Sequence, residues 1–280
     1  MIVHHSELRV LALRTPTLPP ATHTNCYLLG QGELTLVDPA SPYDDEQAAL
    51  FEALDALIAA GERPAQVFLT HHHMDHVGAA MALKARYGLP IVAHARTAEL
   101  LQGEVEIDRF LNEGDVLEVG GGGRWEVLHT PGHAGGHLVL HDTSTGAMVA
   151  GDMVAAVGTI VLAPPDGDLR LYLASLARLR DLAPTVLFPA HGDDIRDAVG
   201  LLEHYIRHRH SRTDQLRAAL ALGPASPMEL VERVYADTIP AFIKPVAEAQ
   251  VRCHLRYLLE EGEVRAPEGE ADDAPWSLPA

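Results

Sequence analysis

The sequence predicts an α/β fold, two stacked sheets with helices packed outside them, followed by a small helical module. Three observations carry this expectation. Short apolar runs, spaced as hairpins, recur through residues 1–200. Stretches with apolar residues at helical spacing separate them. After His191-Gly192 the strand pattern stops and helical patterns take over.

The elements follow in order. Leu8 to Leu13 reads as a strand. Cys26 to Leu29 and Leu34 to Val37 flank Gly30-Gln31-Gly32 as a hairpin. Asp44 to Ala60 places Leu50, Leu54, Leu57 and Ile58 on one stripe, with three acidic residues at the positive end of the helix dipole. Gly61 and Pro64 end that helix. Val67-Phe68-Leu69 is a buried strand, and a helix runs from near Val77 to Tyr87-Gly88. Asp115 to Val119 pairs with Trp125 to Leu128 across a glycine run. Leu138 to His141 pairs with Ala147 to Ala150. Asp168 to Leu182 is a helix and Val186 to Phe188 the last strand. Ile195 to Leu222 is a long connecting helix, broken by Gly223-Pro224. Met228 to Tyr235 and Val246 to Glu261 are helices, with a short wing from Val264, as in a small helix-turn-helix module. Residues 1–200 therefore form one expected domain and 201–266 a second. The acidic, Pro- and Gly-rich stretch 267–280 is expected to be a loose tail.

Composition narrows the function. With 21 basic against 39 acidic residues the net charge is −18, which disfavours a nucleic-acid partner. Two distant cysteines, Cys26 and Cys253, exclude a disulfide scaffold and a cysteine zinc finger. They fit a reducing, cytoplasmic setting. No signal peptide is read at MIVHHSELRV, and the longest apolar stretch is too short to span a bilayer. Histidine occurs 17 times, so where these common metal ligands fall becomes the question.

Four clusters fall at the ends of predicted strands: His71-x-His73-x-Asp75-His76, Thr130-Pro131-Gly132-His133, Gly151-Asp152, and Pro189-Ala190-His191-Gly192. In the first, alternate residues His71 and His73 leave a strand pointing the same way, while Asp75 and His76 open the next helix. Imidazole and carboxylate together suit Zn²⁺, Fe or Mn.

Here the chain resembles the metallo-β-lactamase superfamily. HHHMDH matches its HxHxDH signature, TPGH, GD and PAHG follow in its order, and Val37-Asp38-Pro39 looks like its opening motif. The resemblance covers roughly residues 5 to 200 and implies a four-layer αββα sandwich. Pro245-x-Ala247 and Cys253-His254-Leu255 resemble the winged-helix extension of the LACTB-two-like subgroup. Carried over residue by residue, the resemblance implies that His71, His73 and His133 hold one divalent metal. Asp75, His76 and His191 hold a second, with Asp152 as the bridge. Zn²⁺ is the first choice, Mn²⁺ or Fe the alternatives. Asp75 and Asp152 are the implied catalytic residues, around a hydroxide shared by two ions roughly 3.5–4 Å apart. Asp152 disfavours antibiotic hydrolysis, His73 departs from the HxExDH pattern of diiron reductases, and the full set argues against single-iron dioxygenases. The inserted domain of the RNA-processing nucleases has no room in this chain.

Other residues carry two readings each. His72 lies between two ligands and should point away. His94 and His137 could touch substrate or serve in packing. His4 and His5 read as a frayed terminus, and Tyr27 as core. His204 and His208, one helical turn apart, lack a carboxylate partner in a known motif. Arg207-His208-Arg209-His210-Ser211-Arg212, the single basic run, could grip phosphate or RNA, or form a solvated helix face; the second reading is preferred. The segment 201–280 holds 9 basic and 13 acidic residues, net −4, so a DNA-reading winged helix is disfavoured and a lid, docking module or dimer interface expected. The leading expectation is a dinuclear metal hydrolase of a small ester, thioester or lactone. The alternatives are a metal-dependent single-strand endoribonuclease and a non-enzymatic sensor. The oligomeric state is left open.

Overall fold

A computed structural model describes residues 2–5, 8–235, 238–267 and 274–279, with the backbone alone for 2–5. Two sheets face each other. The first runs in the order β1 (Ile2–His5), β2 (Leu8–Arg14), β3 (His23–Leu29), β4 (Glu33–Val37), β5 (Arg63–Phe68), β6 (Ile91–Ala93) and β7 (Arg109–Phe110). It is antiparallel from β1 to β4 and parallel from β4 to β7. His4 and His5, expected to fray, lie in a strand paired with β2. The second sheet places β8 (Val116–Val119), β9 (Gly123–His129), β10 (Leu138–Asp142), β11 (Ala147–Gly151) and β12 (Val186–Pro189) side by side, antiparallel except for the last pair.

Period-two alternation builds the layers. On β3, Tyr27 and Leu29 enter the core between the sheets with Phe68, Trp125, Val127 and Phe188. Cys26 and Leu28 face outward into a second core under α1 (Asp44–Ala59) and α3 (Ala80–Tyr87), where Leu50, Leu54 and Leu83 meet Val67 and Ile91. The far face of the second sheet, with Val139, Met148 and Leu187, packs on α5 (Leu169–Asp181) and α6 (Ala198–Leu220). This is the αββα sandwich.

Other pieces also differ from expectation. The helix expected near Val77 starts earlier, as the four-residue α2 (Met74–Val77), and breaks at Gly78-Ala79 before α3. Gly78 has no room for a side chain, since a Cβ there would lie 2.4 Å from Pro42 N. Strand β6 and helix α4 (Ala95–Leu100) were not expected; both are too short for a periodic signal.

The C-terminal segment forms its own core. Leu216 and Leu220 at the end of α6 pack with Leu230 and Val231 of α7 (Pro227–Tyr235) and Val251, Leu255 and Leu258 of α8 (Lys244–Glu260). Trp276 and Ser277 pair with Ala225 and Arg265, closing a small winged module. Residues 268–273 and 280 of the acidic stretch lie outside the described residues. Among the described residues no helix is long and apolar enough to cross a membrane.

Candidate metal centre

The site forms where strands end. Asp38 follows β4, His71 and His73 follow β5, His133 follows β9, Asp152 follows β11 and His191 follows β12. Carboxyl ends of strands are where open α/β sheets bind ligands, because loops there can converge without breaking a ladder. All seven residues expected from the sequence meet there, in three overlapping groups: His71, His73 and His133; His71, His76 and Asp152; and Asp75, His76 and His191. Within each group the donor atoms lie within 4.8 Å of one another.

Hydrogen bonds set which ring nitrogen faces inward. Thr70 donates its hydroxyl proton to Asp38 Oδ2 at 2.7 Å, so Thr70 Oγ1 can only accept from His71 Nδ1 at 3.0 Å. His133 Nδ1 donates to Val161 O at 2.8 Å, and His191 Nδ1 to His23 O at 3.0 Å. His76 Nδ1 donates to Asp38 Oδ2 at 2.8 Å. In its neutral form each of these rings carries its lone pair on Nε2. Nε2 of His71 and His133 lie 3.2 Å apart, and His73 Nδ1 sits 2.9 and 3.0 Å from them. Three imidazole nitrogens converge at a spacing that suits a tetrahedral ion with bonds of about 2.0–2.1 Å.

The second group surrounds Asp152. Its Oδ1 lies 3.6 Å from His76 Nε2 and 3.4 Å from His191 Nε2, while Oδ2 faces His133 Nε2 at 3.5 Å. Asp75 approaches His191 Nε2 at 3.6 Å. His76 Nε2 and Asp152 Oδ1 are buried without a hydrogen-bond partner among the described residues. Buried polar atoms are normally satisfied, so this pair marks where divalent cations fit.

Charge and burial oppose each other here. Burial pushes His71 well below the usual imidazole range, aided by the neighbouring rings, and takes His73 down to about 2. At His76 burial also works against the proton, but the carboxylates of Asp152 and Asp38 outweigh it and hold it well above that range. Burial would raise Asp152, yet His76 and His191 bring it well below the usual carboxylate range.

Residues behind the cluster position it. Asp38 adopts φ +49, a left-handed conformation unusual for a side-chain-bearing residue. Its carboxylate accepts from Thr70 N, Thr70 Oγ1 and His76 Nδ1. Sequence reading noted Asp38 as a motif but not this role. His137 does not reach the cavity. It is fully buried, joined to Thr130 Oγ1 at 2.9 Å, and its Nε2 accepts from Asp152 N at 3.0 Å. Gly151 makes room for that bond: at φ +49 a Cβ would lie 2.6 Å from His137 Nε2. His94 is in none of the three donor groups; it caps α4 and stacks on His129 at 4.3 Å. His72 points away from the converging nitrogens, its Nδ1 3.8 Å from Asp166 Oδ2. Tyr27 is core, as expected, and its hydroxyl donates to Pro189 O at 2.7 Å. Asn25 donates to Pro189 O and Gly192 O, so β3 straps the loop that carries His191.

Above the cluster opens a cavity of about 570 Å³. His73, Asp75, His133, Asp152 and His191 form its floor; Leu18, Val157, Ile160, Ile243 and Val246 supply apolar wall. The last two belong to the C-terminal segment, which therefore shapes the site.

The family model of the metallo-beta-lactamase superfamily matches residues 19–191, and that of the beta-lactamase associated winged helix domain residues 226–276. The chain is 31% identical over 275 residues to a beta-lactamase-like protein 2 homolog of Drosophila melanogaster, covering 93% of this chain and 90% of that one. It is 31% identical over 222 residues to a hydroxyacylglutathione hydrolase of Chelativorans sp. (strain BNC1), covering 75% and 76%. A crystal structure of a metallo-beta-lactamase family protein from Thermus thermophilus superposes with a TM-score of 0.81 at 27% identity, covering 99% of this chain and 100% of that one. The chain belongs to the metallo-beta-lactamase superfamily. It is a metallo-hydrolase of that superfamily that also carries the associated winged helix domain.

Proposed function

We propose that the protein is a dinuclear metal-dependent hydrolase of a small ester, thioester or lactone. The observation that carries this reading is one arrangement: seven His and Asp donors converge, and five of them form the floor of an apolar-walled cavity. His71, His73 and His133 would hold one ion, Asp75, His76 and His191 the other, and Asp152 would be shared by both. Two divalent ions, zinc by preference, would supply a Lewis acid and a water activated at neutral pH. The chain's own residues do the rest. Asp75 lies at the cavity floor, where its carboxylate can orient the attacking water. Leu18, Ile243 and Val246 exclude bulk water and receive the apolar part of the acyl group. Asp38, Thr70 and His137 keep imidazoles and carboxylate aimed, so little reorganisation is needed at the moment of reaction.

The endoribonuclease alternative rests on the resemblance to the LACTB-two-like subgroup and on the basic run, and the residues of that run part company in the fold. Arg207 is exposed and paired with Glu203, whereas Arg209 is buried. No continuous basic stripe is left to track a backbone.

The test is metal analysis of the purified protein together with a panel of esters, thioesters, lactones and a labelled single-stranded RNA. Two ions per chain and hydrolysis of at least one acyl substrate are expected. Asp152→Ala should lower that hydrolysis by more than about 100-fold, the upper range for removing even a residue behind the ligands. Unchanged hydrolysis and metal content in His73→Ala or Asp152→Ala would overturn the reading. Metal-dependent RNA cutting with steep salt dependence would replace it with the nuclease.

A further inference from the structure

The basic run that the hydrolase does not use ends in a pocket. About 240 Å³ in volume, it lies between α6, α8 and the end of α7, and His208, Arg209, Arg212, Tyr235 and His254 line it. Thr159, Ile243 and Gln250 line both this pocket and the cavity above the metal centre, so the two adjoin. In a chain of net charge −18, a pocket walled by two arginines and two histidines is not background.

Arg209 forms the partition. It is 1% exposed, and among the described residues it makes no ion pair. Its Nη1 donates to Gln250 Oε1 at 2.7 Å and its Nη2 to Ile160 O at 2.5 Å, while its Nε–H is buried without a partner. A guanidinium removed from water without an opposing charge is costly. His254, 2% exposed, supplies a second unpartnered atom. Thr213 Oγ1 donates to Arg209 O, so it can only accept from His254 Nδ1–H at 2.9 Å; the free Nε2 is then a bare lone pair. One donor and one acceptor, both buried and both unmet, therefore belong to side chains lining one pocket. Arg212 adds a second guanidinium, held 4.6 Å over the Tyr235 ring.

We propose that this pocket binds a phosphate group carried at the non-reacting end of the substrate. A phosphate oxygen can accept from Arg209 Nε–H and from Arg212. A singly protonated phosphate can also donate to His254 Nε2, which a carboxylate cannot do. The acyl carbonyl then lies over the metal centre and the chain between them passes Gln250 and Ile243. The inference rests on the hydrolase reading and narrows its substrates to phosphorylated acyl esters or thioesters.

Two measurements on the metal-loaded full chain test it. The first is calorimetric titration with inorganic phosphate, with acetate as the control anion. Phosphate should bind at least about tenfold more tightly than acetate. That binding should be lost in Arg212→Gln, a half-buried position that alters no core packing, and in His254→Gln as a second variant. Binding that persists in both belongs elsewhere, at the metal centre, and overturns the proposal, as does equal binding of acetate. The second compares acetyl thioesters of mercaptoalkyl phosphates with those of the matching mercaptoalkanols, over graded alkyl lengths. At the right length kcat/KM should favour the phosphate by about tenfold or more, mainly through KM, and Arg212→Gln should bring the ratio close to one. Turnover with no phosphate preference at any length sinks the pocket and leaves the hydrolase. Phosphate binding lost in Arg212→Gln without turnover of any member of the ester, thioester and lactone panel leaves the pocket and sinks the hydrolase.

Discussion

Asp38 shows how much of the centre is decided one bond behind the ligands. A single carboxylate orients Thr70 and fixes the tautomer of His76, and through Thr70 it fixes that of His71. In Asp38→Asn the amide can still accept from His76, but its NH₂ cannot accept from Thr70. We expect metal affinity to drop by about 10–100-fold while the secondary structure is retained. Competition with a chromophoric chelator measures it, and an unchanged affinity would show that Asp38 serves the loop alone. The HxHxDH pattern made the proposed ligands legible because imidazole and carboxylate at that spacing have few other uses. Asp38 and His137 were not legible in those roles, since nothing local distinguishes an Asp after a strand from any turn residue. Their partners lie 32 to 38 and 15 positions away.

At the scale of elements, α5 and the loop carrying His133 are locked together at Gly132. This residue has φ +130, and a Cβ there would lie 2.2 Å from Tyr172 N. Gly132 O also accepts from Asp168 N, and Asp168 caps α5 by accepting from Leu171 N. Gly132→Ala would strain the backbone and push α5 away, so a loss of about 1–3 kcal/mol or more is expected. Metal content should fall with it, because His133 follows directly. Urea unfolding and metal analysis of the same sample check this; a change within about 0.5 kcal/mol would mean the contact relaxes freely. The long elements were readable from periodicity, as α1, α5, α6 and the β3–β4 hairpin show. Elements β6, α4 and α2 were not, because three to six residues hold too little pattern and owe their form to neighbouring strands and turns.

Over the whole molecule, the C-terminal segment is joined to the sandwich through buried polar groups as well as apolar ones. His254, in α8, is pushed down to about 3 by burial and then by Arg209 and Arg212. Folded, it stays neutral; unfolded, it takes up a proton below about pH 6.5. Its contribution is therefore complete above about pH 6.5 and is lost as the pH falls toward 3, at up to about 1.4 kcal/mol per pH unit. Between pH 7 and pH 5 the wild type should lose about 2 kcal/mol more than His254→Gln, measured by urea unfolding at both pH values. Equal losses would mean that His254 reaches solvent protons in the folded chain.

Fold class, the helical segment after the sandwich and the seven His and Asp residues proposed as metal ligands could all be read in one dimension, because hydrophobic period and residue spacing are local properties. The sequence also limited the partners through the −18 charge. The tertiary structure alone decided which histidines face the cavity, since each tautomer depends on a hydrogen bond to a distant residue. It alone split the basic run, sending Arg207 to solvent and Arg209 inward. Helical spacing places both on α6, but only the packing of α8 and the Ile160 loop determines which side of that helix is inside.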